Sequence, residues 1–188
     1  MSINTPPQEL ASSNQVTIYR FFIVSLYLLL TLFLSLSNNT VAKADELSLI
    51  INGKAIHTAK IAGVKYNERN LGMGLHYQFN QLGKNWYPYI YAGGFSDSKE
   101  NPSYYMGTGI SYRFKTLNFL PGIHIDAGLN SFLMTREDVN DNSPFPGVLP
   151  MLSIGNKHTA MNIIYIPEID NKTEEVWFMQ LKIRIARI

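Results

Sequence analysis

Three polar residues stand out for the chemistry they could do together. His57 lies near the end of one strand-like run, and the adjacent Asp97 and Ser98 lie where a later run gives way to a loop. A histidine can take a proton from a hydroxyl, a serine can supply or orient that hydroxyl, and an aspartate can hold a neighbour in place. Such a set suits acyl transfer, which needs a nucleophile or an activated acceptor hydroxyl, a base and a means of stabilising the oxyanion. Taken alone, each residue is ordinary: a rim histidine bonded to a loop, and an Asp-Ser pair that bonds nearby backbone to start one. Which of them is base and which orients is open, and adjacent Asp and Ser are not assumed to form a linear Ser-His-Asp array. Their meaning depends on the elements that place them.

Those elements begin late in the 188-residue chain. Phe21 to Leu36 is an almost uninterrupted apolar run, preceded by Arg20 and followed by Ala42-Lys43-Ala44. That is the order of a secretory signal with a small-residue cleavage site. An uncleaved membrane anchor is the rival, since the run approaches the roughly 20 residues that span a bilayer. Residues 1–44 are read as a signal peptide, and residues 45–188, starting at Asp45, as one domain with no further spanning helix. With 16 Lys and Arg against 14 Asp and Glu, the charge total gives no reason to expect nucleic acid as a partner. The absence of cysteine excludes disulfides and thiol catalysis.

Within that domain the sequence has a period of two. Tyr104, Met106, Thr108, Ile110, Tyr112 and Phe114 alternate with Tyr105, Gly107, Gly109, Ser111 and Arg113. Leu71, Met73, Leu75 and Tyr77 alternate in the same way with Gly72, Gly74, His76 and Gln78, and the last run sets Trp177, Met179, Leu181 and Ile183 against Phe178, Gln180 and Lys182. One face is fit for lipid, with Tyr and Trp near the ends, and the other is polar or Gly-rich; this is the pattern of a transmembrane barrel. Eight runs are predicted, near 48–60, 69–79, 85–96, 102–114, 121–134, 145–155, 158–167 and 174–186. The fold class is therefore all-β, an eight-stranded antiparallel transmembrane β-barrel, whose even strand number closes it without edges. The connections near 80–84, 115–120 and 155–157 fall on the periplasmic side. Those near 61–68, 97–101, 135–144 and 168–173, longer and richer in charge, face out. This arrangement brings His57, Asp97 and Ser98 to the outer rim. An inner wall opened by glycines such as Gly107 and Gly109 leaves room for one slender ligand.

The stretches around these residues carry a resemblance. Tyr66-Asn67-Glu68-Arg69 follows His57, Phe95-Ser96-Asp97-Ser98 ends the third run, and Pro144 to Gly155 leads on to Tyr165-Ile166-Pro167. Over roughly residues 53 to 185 the chain resembles the lipid A palmitoyltransferases, the PagP family. The resemblance implies an outer-membrane enzyme, its catalytic rim facing the cell exterior, that moves a palmitoyl chain from a glycerophospholipid donor to lipid A. It implies His57, Asp97 and Ser98 as catalytic residues and Gly109, with Gly107 nearby, at the floor of the acyl pocket. Tyr66, Arg69 and Arg136 are candidate substrate-binding residues, cations at the rim being suited to lipid A phosphates. Pro150 and Pro167 match the prolines beside one lateral opening of the family's barrel wall. At the other opening Asn52 and Asn70 stand in place of prolines, which puts access between the first two strands in question. The chain also lacks the family's full N-terminal amphipathic helix, and its loop between His57 and Tyr66 is shorter.

His76 and His124 point inward from mid-strand, where structural histidines are common, and His158 lies beside a periplasmic turn. No two histidines have metal-ligand spacing, so neither a metal nor another cofactor is expected. The expected partners are membrane lipids, and the expected state is a monomer. Two other readings fit the alternation: a non-catalytic small barrel serving envelope integrity or adhesion, and a lipid A deacylase with water as acceptor.

Overall fold

The structure, a computed structural model, describes residues 45–58, 66–114, 122–168 and 175–188. The signal peptide, the loop cations Lys60 and Lys65, and the connections at 59–65, 115–121 and 169–174 lie outside the described residues. Eight strands follow one another: β1 (Glu46–His57), β2 (Arg69–Gln78), β3 (Trp86–Ser96), β4 (Pro102–Phe114), β5 (His124–Thr135), β6 (Phe145–Gly155), β7 (Thr159–Ile166) and β8 (Val176–Arg187). Each pairs antiparallel with its neighbour in sequence, and β1 pairs with β8 to close the barrel. The predicted runs match these strands to within a few residues. β1 starts earlier than its alternation suggested, because Glu46 accepts hydrogen bonds from Arg184 (2.7 Å) and Arg187 (3.2 Å) on the adjoining strand. That bond holds the strand end in register.

The distribution of side chains is inverted relative to a soluble domain. Leu71, Met73, Tyr104 and Met106 are 61–67% exposed on the outer face, while Ser48, Asn52, His76, Asp126, Asn130, Ser153, Asn162 and Gln180 are buried in the lumen. A wall of this kind is stable in lipid, since closure satisfies the backbone internally and the apolar face meets hydrocarbon. Aromatic pairs near the strand ends, Trp86 with Tyr112 (5.1 Å) and Tyr165 with Trp177 (4.8 Å), supply the girdle expected at membrane interfaces.

The lumen is divided along its length. At the end away from His57, Arg113 grips Asp126 with two hydrogen bonds (2.8 and 2.9 Å), and His124 lies 3.7 Å from the same carboxylate. Toward the other end aromatic rings cross the lumen, and they fit because glycines face them. Gly74 and Gly93 stand opposite each other, and a Cβ at either would come within 3 Å of the Tyr105 hydroxyl. Removing one partner of the Arg113–Asp126 pair strands the other in a low-dielectric interior, so Asp126→Ala is expected to lower barrel stability by about 3 kcal/mol. Urea unfolding in detergent micelles reads this directly, and an unchanged midpoint would contradict it.

One seam of the wall is incomplete. β5 and β6 pair along their whole length, from Met134↔Phe145 to His124↔Gly155. β6 and β7 pair only from Met151↔Ile164 to Gly155↔Ala160. Beyond Met151, residues Phe145–Pro150 bond to β5 alone, while Tyr165 and Ile166 bond to β8 alone. Pro150 is the first residue past the break, and a proline has no N–H to extend a ladder. Between β1 and β2 the ladder instead runs from Glu46↔Gln78 up to Lys54↔Arg69, with a bulge after Asn52.

Candidate active site

The turn after β3 is built around Asp97. Its backbone N–H donates to the Asn101 carbonyl (2.8 Å), and its own carbonyl accepts from the Glu100 N–H (3.0 Å). Its Oδ1 accepts from the N–H groups of Lys99 (2.8 Å) and Asn101 (2.9 Å). This is how an aspartate starts a turn, and here it is tight enough to put Glu100 in the left-handed region at φ 68°. Oδ2 accepts from Ser103 Oγ (3.4 Å) and lies 3.9 Å from Arg136 Nε. Asp97 is fully buried, and its carboxylate is engaged by the turn, Ser103 and Arg136.

The result of that turn is the placement of Ser98, whose Oγ lies 3.2 Å from His57 Nε2. His57 is buried at the end of β1, its ring stacked on Tyr66 with centroids 4.6 Å apart and planes at 22°. The segment that brings Tyr66 there also fastens the turn. Asn67 donates from its backbone N–H to the Ser98 carbonyl (2.8 Å), and from Nδ2 to the carbonyls of Asp97 (3.3 Å) and Arg69 (3.1 Å). Glu68 accepts from the Ala55 N–H on β1 (3.0 Å). Thus the Tyr66–Arg69 stretch ties the strand carrying His57 to the turn carrying Ser98. Neither this task of Asn67 nor the place of Ser103 beside Asp97 is evident from the residues around them in the sequence. An inward parity for Ser103, two residues before Tyr105, was the available signal.

Beneath the pair opens a cavity of about 380 Å³. Its walls are apolar, with Phe95, Phe132, Leu149, Ile164 and Phe178 prominent. The deepest lining residues on their strands are Tyr91, Tyr105, Asn130 and Gln180. Tyr105 Oη and Gln180 Nε2 both donate to Asn52 Oδ1 (3.2 and 2.7 Å), and Tyr89 Oη donates to Asn130 Oδ1 (2.7 Å). The floor is therefore a satisfied polar layer. Leu149, Ile164 and Ile166 line the cavity beside the unpaired part of the β6–β7 seam, so the cavity and the break in the wall adjoin.

Several predicted residues sit differently from one another. Tyr66 and Arg136 line the cavity together with the His57–Ser98 pair. Arg69 is exposed on the outer side of β2 and does not join them. Gly107 and Gly109 face the lumen but lie behind rings. A Cβ on Gly107 would stand 2.9 Å from the Tyr91 ring, and one on Gly109 would stand 2.4 Å from the Tyr89 ring. Any side chain at Gly109 must displace Tyr89 and so disturb its bond to Asn130, which lines the cavity. Gly109→Met is accordingly expected to shift preference toward donors shorter by several methylenes, each lost buried methylene being worth roughly 0.8 kcal/mol. A series of phospholipids differing only in acyl length tests this; unchanged preference in a folded, active variant would remove Gly109 from chain-length control.

The rim electrostatics centre on Asp138. Arg136 holds it with two hydrogen bonds (2.9 and 2.8 Å) and Lys99 Nζ lies 3.4 Å away. Partial burial would raise the Asp138 carboxyl, but the Arg136 guanidinium and Lys99 ammonium outweigh it and hold the group below its usual range. Arg136 and Lys99 are thus already paired, and an anionic headgroup would have to compete with Asp138 for them.

The fold and the site together define a class: a lipid-facing β-barrel with an imidazole within hydrogen-bond reach of a serine hydroxyl, at the mouth of an apolar-walled cavity beside a break in its wall. The family described as "Antimicrobial peptide resistance and lipid A acylation protein PagP" matches residues 40–182, and the chain belongs to that family. The lipid A acyltransferase PagP of Methylobacillus flagellatus is 33% identical over 102 residues, 53% of this chain and 53% of that one. The protein of the same name from Legionella longbeachae is 30% identical over 125 residues, 63% of this chain and 52% of that one. The chain spans about half the length of the curated relatives it matches. Among solved structures, the attachment invasion locus protein Ail of Yersinia pestis aligns over 77% of this chain and 100% of that one, at 9% identity and a TM-score of 0.42.

Proposed function

We propose that this chain, exported by the signal in residues 1–44 and inserted as a monomeric barrel in a bacterial outer membrane, transfers a palmitoyl or similar long acyl chain from a glycerophospholipid to lipid A. The observation that carries the reading is the 3.2 Å contact of His57 Nε2 with Ser98 Oγ directly above an apolar cavity. The acyl chain lies in the cavity with its ester at the rim, which faces the cell exterior. The β6–β7 seam, ending at Pro150 and continued by Pro167 after β7, admits the donor from the bilayer. His57 takes the proton of the attacking hydroxyl as its oxygen bonds to the acyl carbon, and returns it to the glycerol oxygen when the old ester breaks. Ser98 either makes that attack itself, passing the chain on in a second step, or orients the acceptor hydroxyl. Asp97 acts through the turn as a positioning residue.

The relatives' printed name, lipid A acyltransferase, supports the choice of acceptor. Mass spectrometry of lipid A from cells with and without this protein tests it. One added long acyl chain is the expected result. Loss of a chain would select the deacylase, and no change would select a non-catalytic barrel.

A further inference from the structure

Asn70 is buried to 1% exposure on β2 and lines the cavity with His57 and Ser98. Its Nδ2 donates to the Ser96 carbonyl (2.9 Å), at the end of the strand that leads into the Asp97–Ser98 turn. A backbone carbonyl only accepts, so this bond fixes which way the amide points. The Oδ1 is then left as an acceptor, buried and meeting no donor among the described residues. Leaving such an atom unpaired is costly, and native structures retain few of them. Its neighbours indicate when it is matched. β2 runs between β1, which carries His57, and β3, which leads to Ser98, so the atom borders the space where the ester must sit.

We propose that Asn70 binds the acyl acceptor, its Oδ1 taking a hydrogen bond from an amide N–H or a second hydroxyl beside the reacting one. This rests on the acyltransferase reading above. The chemistry of the two substrates makes the choice. Around its ester a glycerophospholipid offers only oxygen acceptors, which cannot satisfy another acceptor. The reacting hydroxyl has a single proton, and that proton goes to His57. A polar acceptor lipid with further N–H or O–H groups meets the requirement.

The test compares two acceptors for one phospholipid donor, using the full barrel in detergent: lipid A, and water alone, which yields free fatty acid. Asn70→Leu is expected to lower transfer to lipid A roughly tenfold or more, as for loss of one well-placed hydrogen bond to substrate, while hydrolysis by water and the KM for donor stay as in the wild type. Asn70→Asp gives up the bond to Ser96 yet keeps an acceptor at the cavity, so it is expected to retain transfer. If transfer and hydrolysis fall together in Asn70→Leu, or if Asn70→Asp is as poor as Asn70→Leu, the residue only braces the turn and the proposal is overturned. Heat-modifiable migration on gels checks that each barrel is closed. If Asn70→Leu does not fold, Asn70→Ser, too short to place its oxygen at the same point, replaces it with the same expected split. A wild-type protein active on neither acceptor would overturn the acyltransferase reading itself, an outcome separate from any behaviour of the variants.

Discussion

Ser98→Ala and His57→Ala are each expected to lower acyl transfer by about 100-fold or more, the scale of a positioned acid-base group, while leaving a closed, heat-modifiable barrel. The reason lies in how the two residues are held. Strand pairing places His57 at the last pair of β1 with β8, opposite Val176. Ser98 is placed by backbone bonds of the turn, and neither its carbonyl bond from Asn67 nor the Asp97 network uses its hydroxyl. Removing either side chain therefore deletes chemistry and leaves the scaffold in place. Asp97→Ala should behave differently, since it releases the turn and takes away the acceptor of the Ser103 hydroxyl; loss of activity there should come with protease sensitivity at residues 97–101. Steady-state transfer assays on purified variants measure the first effect. Full activity in Ser98→Ala or His57→Ala, with the barrel folded, would rule out the assigned site.

The second large effect is expected at the seam. Continuing the register of the last β6–β7 pair, Met151↔Ile164, sets Leu149 opposite Ile166, and both line the cavity. The chain has no cysteine, so a Leu149→Cys, Ile166→Cys double variant can form one intramolecular bond only, when the two segments approach within disulfide reach, a Cα separation of about 7 Å or less. Oxidation is expected to abolish turnover by holding the wall shut, and reductant is expected to restore it. Each single variant should be indifferent to oxidant. Turnover that continues in the fully crosslinked protein would place lipid access elsewhere. A seam between β1 and β2 is the less suitable route, because the ladder there reaches Lys54↔Arg69 and the Ala55 N–H donates to the Glu68 carbonyl just beyond it.

Much of this was legible from the residues alone. Alternation of large apolar residues with glycine and polar residues is a local property of an extended chain, because successive side chains point to opposite faces. Leu71, Met73 and Leu75, or Tyr104 and Met106, therefore announce a lipid face whatever their partners are. Eight such runs, joined by short connections on one side, leave a closed meander as the arrangement without an edge, and the shared rim of His57 and Ser98 follows from counting strands. The positions of Pro150 and Pro167 hinted at a weak seam by the same local logic, since a missing N–H is visible in the sequence.

What the tertiary structure decided is everything that depends on residues meeting across the lumen. The rings of Tyr89 and Tyr91 lie over Gly109 and Gly107, so the cavity ends at Asn130 and Gln180, higher than glycines read alone would suggest. Asp97 faces its own turn and Arg136, and no periodicity shows that. Arg69 and Arg136 are alike in sequence, yet one is outside the wall and the other is at the cavity, paired with Asp138. Asn70, notable in sequence only as a replaced proline, became a buried amide with one end fastened and the other facing the site. The physical reason is common to all four. A strand fixes which way its side chains point, but the depth at which two of them meet is set by the stagger of the closed sheet, which is a property of all eight strands at once.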